Sequence, residues 1–436
     1  MRVNKVFKEM KTWKRMAILI GAVVFTLGAG VLNPEIKGVQ SPSLVPVIFP
    51  EAYNFEEGQD IHKIMEENPV SDRFMKSLRK FSYETSVKIF EDSQGNMNYS
   101  PLSLFYSLAM ATSGAEGETL EEMLSLLNVD DKKFLSEQSG NYFRNLYYDN
   151  DIGKLKVANS LWMNEDVLWK EPFIENAAKN FYADIFQMDF KDSLTQTAMK
   201  EWIKENTQGT LEPEVELDPK QILSILNTVY YYDEWTDKFD ENQTKDDLFY
   251  VTSKDNVSVP FMHSIYGSSL FTKGENFLRA GLQLKNQGRM VFVLPDEGID
   301  PKDLMSTPDK MRMTFEEGTD GFGEVIWEIP KFSFHSKINV KDYLKKLGLS
   351  SPFEENANFS AITDQIAYIS DIVQETHIGI DEKGVKASSY TQINYVGAAQ
   401  PKDKAEMILN RPFLYGILSP EGNLIFVGIC ENPTKD

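Results

Sequence analysis

The run Ile222-Leu223-Ser224-Ile225-Leu226-Asn227-Thr228-Val229-Tyr230-Tyr231-Tyr232 limits the fold more than any other stretch of the chain. It is almost continuously apolar, Asn227 and Thr228 excepted, and rich in β-branched and aromatic residues. That pattern predicts a strand buried on both faces. A second strand signal has a different period. In Tyr368–Asp381, Ile372, Gln374, Thr376, Ile378 and Ile380 fall on one face, and Asp371, Glu375, His377 and Asp381 on the other. Two further strands flank the turn Ser419-Pro420-Glu421-Gly422-Asn423.

Helical signals are interspersed with these strands. Phe74, Leu78, Phe81, Val87 and Phe90 have helical spacing. Ser100-Pro101 reads as a cap and first turn, opening a helix through Leu104, Leu108 and Ala109 to about Ser113. Thr119-Leu120-Glu121-Glu122 reads as a capping box opening a helix through Leu127, and Pro172 to Phe186 as an amphipathic helix. Without strict strand–helix alternation, the fold class is α+β. The 28 Phe, 18 Tyr and 6 Trp in 436 residues supply a large core.

The formal net charge of −21 repels phosphates, which excludes nucleic acid as a partner. It favours solubility and steers basic partners. The single cysteine, Cys430, permits no intrachain disulfide and no cysteine-rich metal site. Its run Leu424-Ile425-Phe426-Val427-Gly428-Ile429-Cys430 reads as a buried strand with a core cysteine.

The N-terminus carries Arg2, Lys5, Lys8, Lys11, Lys14 and Arg15, followed by an uncharged stretch from Met16 to Leu32. A basic segment before an apolar one is an export signal. Gly28, Ala29 and Gly30 offer a cleavage site, while the length of the apolar stretch also allows an uncleaved signal-anchor. Either reading places the remainder outside the cell, as a secreted protein or one anchored on the outer face of the membrane. Residues 1–32 are thus the signal peptide or signal-anchor, 33–69 a spacer with Pro34, Pro42, Pro46, Pro50 and Pro69, and 70–436 the folded domain.

No nucleophile elbow, zinc-protease pair, P-loop or dinucleotide fingerprint occurs. His62, His263, His335 and His377 are dispersed. The reading is therefore a non-enzyme, with no cofactor and no catalytic metal.

From Ser71 to the C-terminus the chain resembles the serpin family of protease inhibitors. The resemblance rests on Asn96-Met97-Asn98-Tyr99-Ser100-Pro101-Leu102-Ser103, Gly114-Ala115-Glu116-Gly117-Glu118-Thr119, Asn227-Thr228-Val229-Tyr230 with Trp235, and Ile329-Pro330-Lys331. It continues through Asp381-Glu382-Lys383-Gly384, Arg411-Pro412-Phe413 and Gly428-Ile429-Cys430-Glu431-Asn432-Pro433. Two departures stand out. Tyr231-Tyr232-Asp233 replaces the family's Phe-Lys-Gly, and Gln374 stands where the family often has histidine. Glutamine keeps both donor and acceptor, so a network to Ser100 and Asn227 remains available.

The resemblance implies three β-sheets, about eight or nine helices and an exposed reactive-centre loop. It implies suicide inhibition of a serine or cysteine protease by a monomer. The target cleaves the loop, and the segment before the cut enters the central sheet as a new strand. It assigns Glu382, Gly384, Val385, Ala387, Ser389 and Thr391 to the loop hinge. It assigns Lys331, Trp235, Asn227, Ser100, Ser103 and Gln374 to the region where the sheet opens, with a Lys331–Glu382 ion pair at the entry point.

Alternation within the loop agrees with insertion. Val385, Ala387, Ser389, Thr391 and Ile393 would face inward and are uncharged; Lys386, Ser388, Tyr390, Gln392 and Asn394 would face outward. Family spacing places the scissile bond at Ala398–Ala399, which suits a subtilisin-like or elastase-like target; a loop longer before the cut would instead present Lys402 or Lys404 to a trypsin-like one. The alternative role is a non-inhibitory binding or chaperone-like module.

Overall fold

In the computed structural model, Val45 and residues 47–50, 61–212, 214–218, 221–370, 372–385 and 403–436 are described. They belong to one compact unit that runs from Ser41 to Asp436. The signal or anchor segment and Ala387, Ser389, Thr391, Ala398, Ala399 and Lys402 lie outside the described residues.

Nine α-helices occur among the described residues: α1 Ile61–Glu67, α2 Asp72–Glu91, α3 Pro101–Ser113, α4 Gly117–Leu126, α5 Lys132–Leu146, α6 Glu171–Asn180, α7 Ser193–Asn206, α8 Pro308–Phe315 and α9 Lys341–Lys346. The strands are β1 Met97–Tyr99, β2 Tyr148–Asn150, β3 Gly153–Asn164, β4 Ala183–Met188, β5 Leu223–Glu234, β6 Lys245–Tyr250, β7 Asn256–Gly274 and β8 Phe277–Gln283. They continue as β9 Arg289–Pro295, β10 Thr319–Pro330, β11 Phe332–Asn339, β12 Val373–Ile380, β13 Gly384–Val385, β14 Asp403–Ile408, β15 Phe413–Leu418 and β16 Leu424–Cys430.

These strands form three sheets. The largest runs β1-β16-β15-β9-β8-β7-β10-β14, with β6 added on β7. The second runs β13-β5-β3-β2, with β4 on β3, and the third is the pair β11-β12. The fold is α+β, and its three sheets agree with what the resemblance implied.

Helix α3 sits at the centre because its sequence is apolar on every side. Leu102, Leu104, Phe105, Tyr106, Leu108, Ala109 and Met110 are all buried, and such a helix is stable only when enclosed. Its start is as expected: the Ser100 side chain caps by accepting from the Ser103 N–H, and Pro101 occupies the first turn. Cys430 is free and buried within β16, and burial pushes its thiol well above the ordinary value, so it is an inert core residue.

Three local expectations are corrected. The Thr119 capping box does not form. Helix α4 begins earlier, at Gly117 with φ +55°, and its cap residue Glu116 makes no side-chain cap bond. Thr119 Oγ1 instead accepts from Asn358 N at 2.9 Å, and Glu122 Oε2 accepts from Ser350 N and Ser351 N at 2.8 and 2.7 Å. Capping chemistry is spent on a distant loop. The helix expected over Pro172–Phe186 ends at Asn180, and β4 follows. The break is Tyr182, in the left-handed region at φ 51°, held there by stacking on Phe143 at 4.3 Å between ring centroids. Finally, Leu223–Asn227 in β5 is only half-buried. Its neighbour in space, β12, does not pair with it.

Part of the segment before the helices packs onto the domain. The Phe49 ring lies 5.7 Å from Tyr147, 6.0 Å from Tyr182 and 6.1 Å from Phe143, with Lys156 Nζ 5.0 Å from its centroid. Aromatic and cation–π contacts of this kind contribute roughly 0.5–1.5 kcal/mol each beyond area burial. Phe49→Ala should therefore lower the thermal midpoint by about 2–6 °C, measured by differential scanning fluorimetry; an unchanged midpoint would show that the ring adds nothing.

Candidate functional site

Strands β5 and β12 run in the same direction and face each other across a cleft of about 570 Å³. Its walls include Leu223, Ile225 and Asn227 on one side and Ile372 and Gln374 on the other, and Ser103, Leu104 and Leu108 of α3 form its floor. At one end the gap is closed by two residues. After β12 the chain turns through Asp381–Gly384, bridges back on itself, and lays β13 antiparallel against β5. Gly384 pairs with Glu234 and Val385 with Asp233. Val385 is buried, on the inward side expected for it.

The turn is held from several directions. Trp235 is fully buried; its Nε1 donates to Asp381 O at 3.0 Å and its backbone N–H to Lys383 O at 3.0 Å. Phe239 N donates to Glu382 O at 3.0 Å. The Glu382 carboxylate accepts from Lys331 Nζ and from Thr244 Oγ1, both at 2.8 Å. Burial alone would raise this carboxyl, but hydrogen bonds from Lys331 and Thr244 outweigh it and hold the group below its ordinary value. Gly384 is required by close approach. Its φ is +157°, and a Cβ there would lie 2.3 Å from Asp233 O and 2.8 Å from Glu234 Cα.

Two buried acids flank the entry. Glu234 is paired, with Lys285 Nζ at 2.7 Å and Lys238 Nζ at 3.1 Å. Asp233 has no cation partner among the described residues. It accepts from Asn286 Nδ2 at 3.0 Å, Asn286 N at 3.2 Å, Glu234 N at 2.9 Å and Tyr148 Oη at 3.3 Å. Burial pushes its carboxyl from 3.8 up to about 7, against the opposing pull of those donors.

Below β13 a chain of side chains links the strands that do not pair. Gln374 on β12 makes a two-way bond to the start of α3: Ser100 N donates to Gln374 Oε1 and Gln374 Nε2 donates to Ser100 O, both at 2.9 Å. Ser100 Oγ caps Ser103 N, and Ser103 Oγ donates to Asn227 Oδ1 on β5. Asn227 Nδ2 donates to Asn159 Oδ1 on β3 at 2.6 Å. Gln374 thus reaches Asn227 through Ser100 and Ser103 rather than directly.

The family model for "Serpin (serine protease inhibitor)" matches residues 76–433. The chain is a serpin. Among its relatives, an uncharacterized serpin-like protein of Methanosarcina acetivorans is 30% identical over 360 residues, covering 78% of this chain and 81% of that one. The thermophilic serpin tengpin in its native state has 29% identity and a TM-score of 0.75, covering 83% of this chain and 95% of that one. Thyroxine-binding globulin complexed with thyroxine has a TM-score of 0.70 at 20% identity, covering 82% and 100%, which shows the shared fold.

All the sheet-opening residues read from this serpin sequence converge on the cleft or its closed end: Lys331, Trp235, Asn227, Ser100, Ser103 and Gln374. Of the hinge residues, Glu382, Gly384 and Val385 lie at the turn. Lys404 lies within β14, paired in register with Glu324 of β10, so it does not belong to a free bait segment. Thr244, Phe239, Asn159 and Asn286 were missed, because each acts through a contact far away in sequence. Only Asp233, a charge at the end of an apolar run, left a visible trace.

Two outcomes follow. Between pH 4 and about 7 the folded chain holds one proton more at Asp233 than the unfolded chain. Stability from this group is thus complete below pH 4 and lost as pH rises through 7, by a few kcal/mol at most. Thermal midpoints from pH 5 to 8 should fall more steeply in the natural chain than in Asp233→Asn; parallel curves would refute the assignment. Gly384→Ala cannot keep β13 against β5, so limited proteolysis should cut within residues 381–386 several-fold faster. An unchanged cutting rate would show that the close approach is dispensable.

Proposed function

We propose that this serpin is a suicide inhibitor of an extracellular serine protease. The observation that carries the reading is β13: two residues already lie antiparallel in a gap between parallel strands that no other strand among the described residues fills. An antiparallel strand is the element that such a gap accepts, since it can pair on both sides. Continuing the Gly384–Glu234 register residue by residue brings Ala387 opposite Tyr231, Thr391 opposite Asn227 and Ile393 opposite Ile225. Directly opposed residues share a face, so Thr391 would reach the polar Ser103–Asn227 pair and Ile393 the apolar part of the cleft.

In this reading the protease serine attacks the Ala398 carbonyl, the Ala399 amine leaves, and the acylated segment is drawn into the sheet. Each new backbone hydrogen bond is worth about 1 kcal/mol net, and the ladder grows on two edges at once. Displacement of the acyl-enzyme then prevents hydrolysis. Small residues at Ala398–Ala399 favour a subtilisin-like or elastase-like target. The basic segment and the Met16–Leu32 stretch support secretion or anchoring on the outer face of the membrane, with the serpin acting as a monomer.

A relative in fold is solved with thyroxine bound, so the test must separate trapping from a binding role. Incubation with subtilisin and pancreatic elastase should yield a complex that survives SDS and heat, releasing a C-terminal peptide that begins at Ala399 by mass spectrometry. Thr391→Arg places a charge on the inward face at a cost of several kcal/mol, so the variant should be cleaved without forming the complex. Loop cleavage without a complex in the natural chain would overturn inhibition of these proteases.

A further inference from the structure

Beside the hinge, three side chains with metal-ligating atoms converge from three strands. Asp247 on β6, His263 on β7 and Glu328 on β10 each bring a ligating atom within 4.8 Å of the other two. The sheet register produces this meeting. His263 and Glu328 are directly opposite each other in the β7–β10 ladder, and β6 lies antiparallel on β7 with Asp247 opposite Val259. Directly opposed residues share a face of the sheet.

The histidine is also oriented. Its Nδ1 lies 3.1 Å from Gln243 O and 3.0 Å from Phe261 O. Carbonyl oxygens only accept, so Nδ1 carries the proton and Nε2 of the neutral ring keeps a lone pair. A ring nitrogen donating to backbone oxygen, with the other left free, is how a metal-binding histidine is held. Glu328 makes no side-chain hydrogen bond or ion pair among the described residues. Asp247 Oδ1 accepts from Leu248 N at 2.7 Å, which leaves its second oxygen.

The geometry points to a binding site for a first-row divalent cation of the Zn²⁺ type, held by Asp247, His263 and Glu328. One imidazole and two carboxylates suit such an ion better than an alkaline-earth cation, which takes an all-oxygen shell. Ligand distances of about 2.0–2.2 Å require the three atoms to draw to roughly 3.4 Å apart. Asp247 is exposed and Glu328 half-buried, so rotation of both carboxylates closes that distance. Water completes the shell on the exposed side. The cation would tie β6 to β10 across β7. Gln243, which holds the histidine, precedes Thr244, whose hydroxyl donates to Glu382. The site is therefore mechanically connected to the hinge; that lever on the loop rests on the proposed inhibitory function, whereas cation binding does not.

The test is calorimetric titration of tag-free, EDTA-stripped protein with ZnCl₂, together with thermal melts. Glu328→Gln is the decisive variant, because the carboxylate it removes has no other partner among the described residues and glutamine keeps the shape of the side chain; His263→Ala is the second. The natural chain should bind one Zn²⁺ at least ~10-fold more tightly than Glu328→Gln, and only the natural chain should gain thermal midpoint on adding Zn²⁺. Equal isotherms for the natural chain and Glu328→Gln, or no binding by the natural chain, would overturn the site. Selective Zn²⁺ binding by a chain that forms no protease complex would uphold the site while removing the proposed function.

Discussion

The missing ladder between β5 and β12 is the constraint on which the rest depends. Two parallel-running strands face each other, and among the described residues their facing edges are paired only where β13 lies between them. Exposed strand edges are templates for a further strand. Here the template has a floor, the apolar helix α3, and an end stop, the buried Trp235 with the Lys331–Glu382 pair. In the proposed function, a strand would enter this gap from the hinge as the antiparallel continuation of β13.

The same gap is also kept from collapsing. The Gln374–Ser100–Ser103–Asn227–Asn159 relay does this by bonding both strands to the helix start below instead of to each other. Each group is satisfied, so the strands do not need a direct ladder to remain in place. Insertion into the gap would have to accommodate that relay, and in the proposed register the Thr391 hydroxyl would meet it. Asp233 adds a pH-dependent element at the entry, since its carboxyl changes charge near neutrality beside Val385.

Much of this was legible in residues that act locally. The Ser100-Pro101 cap, the period of Ile372–Ile380 and the charge-free inward set from Val385 are short-range patterns, and the structure places those that it describes as expected. Patterns failed where a distant partner intervened. Thr119 and Glu122 have capping chemistry, yet they serve the backbone of Ser350, Ser351 and Asn358. Tyr182 ends a helix because an aromatic stack with Phe143 holds it at positive φ. The apolar run of β5 read as a wholly buried strand, because composition reports what a strand could bury and not whether its neighbour has arrived.

The amino-acid sequence by itself determined the class of fold and the alternation of uncharged and polar side chains after Val385, while the hinge positions came with the serpin resemblance carried by Asp381-Glu382-Lys383-Gly384. The first two follow from periodicity and from residue types, which are properties of single segments. Only the tertiary structure decided that β5 and β12 stay unpaired, that Gly384 must lack a side chain, and that Asp247, His263 and Glu328 meet. Those depend on register between strands many residues apart, and register is set by the packing of the whole core rather than by any one segment.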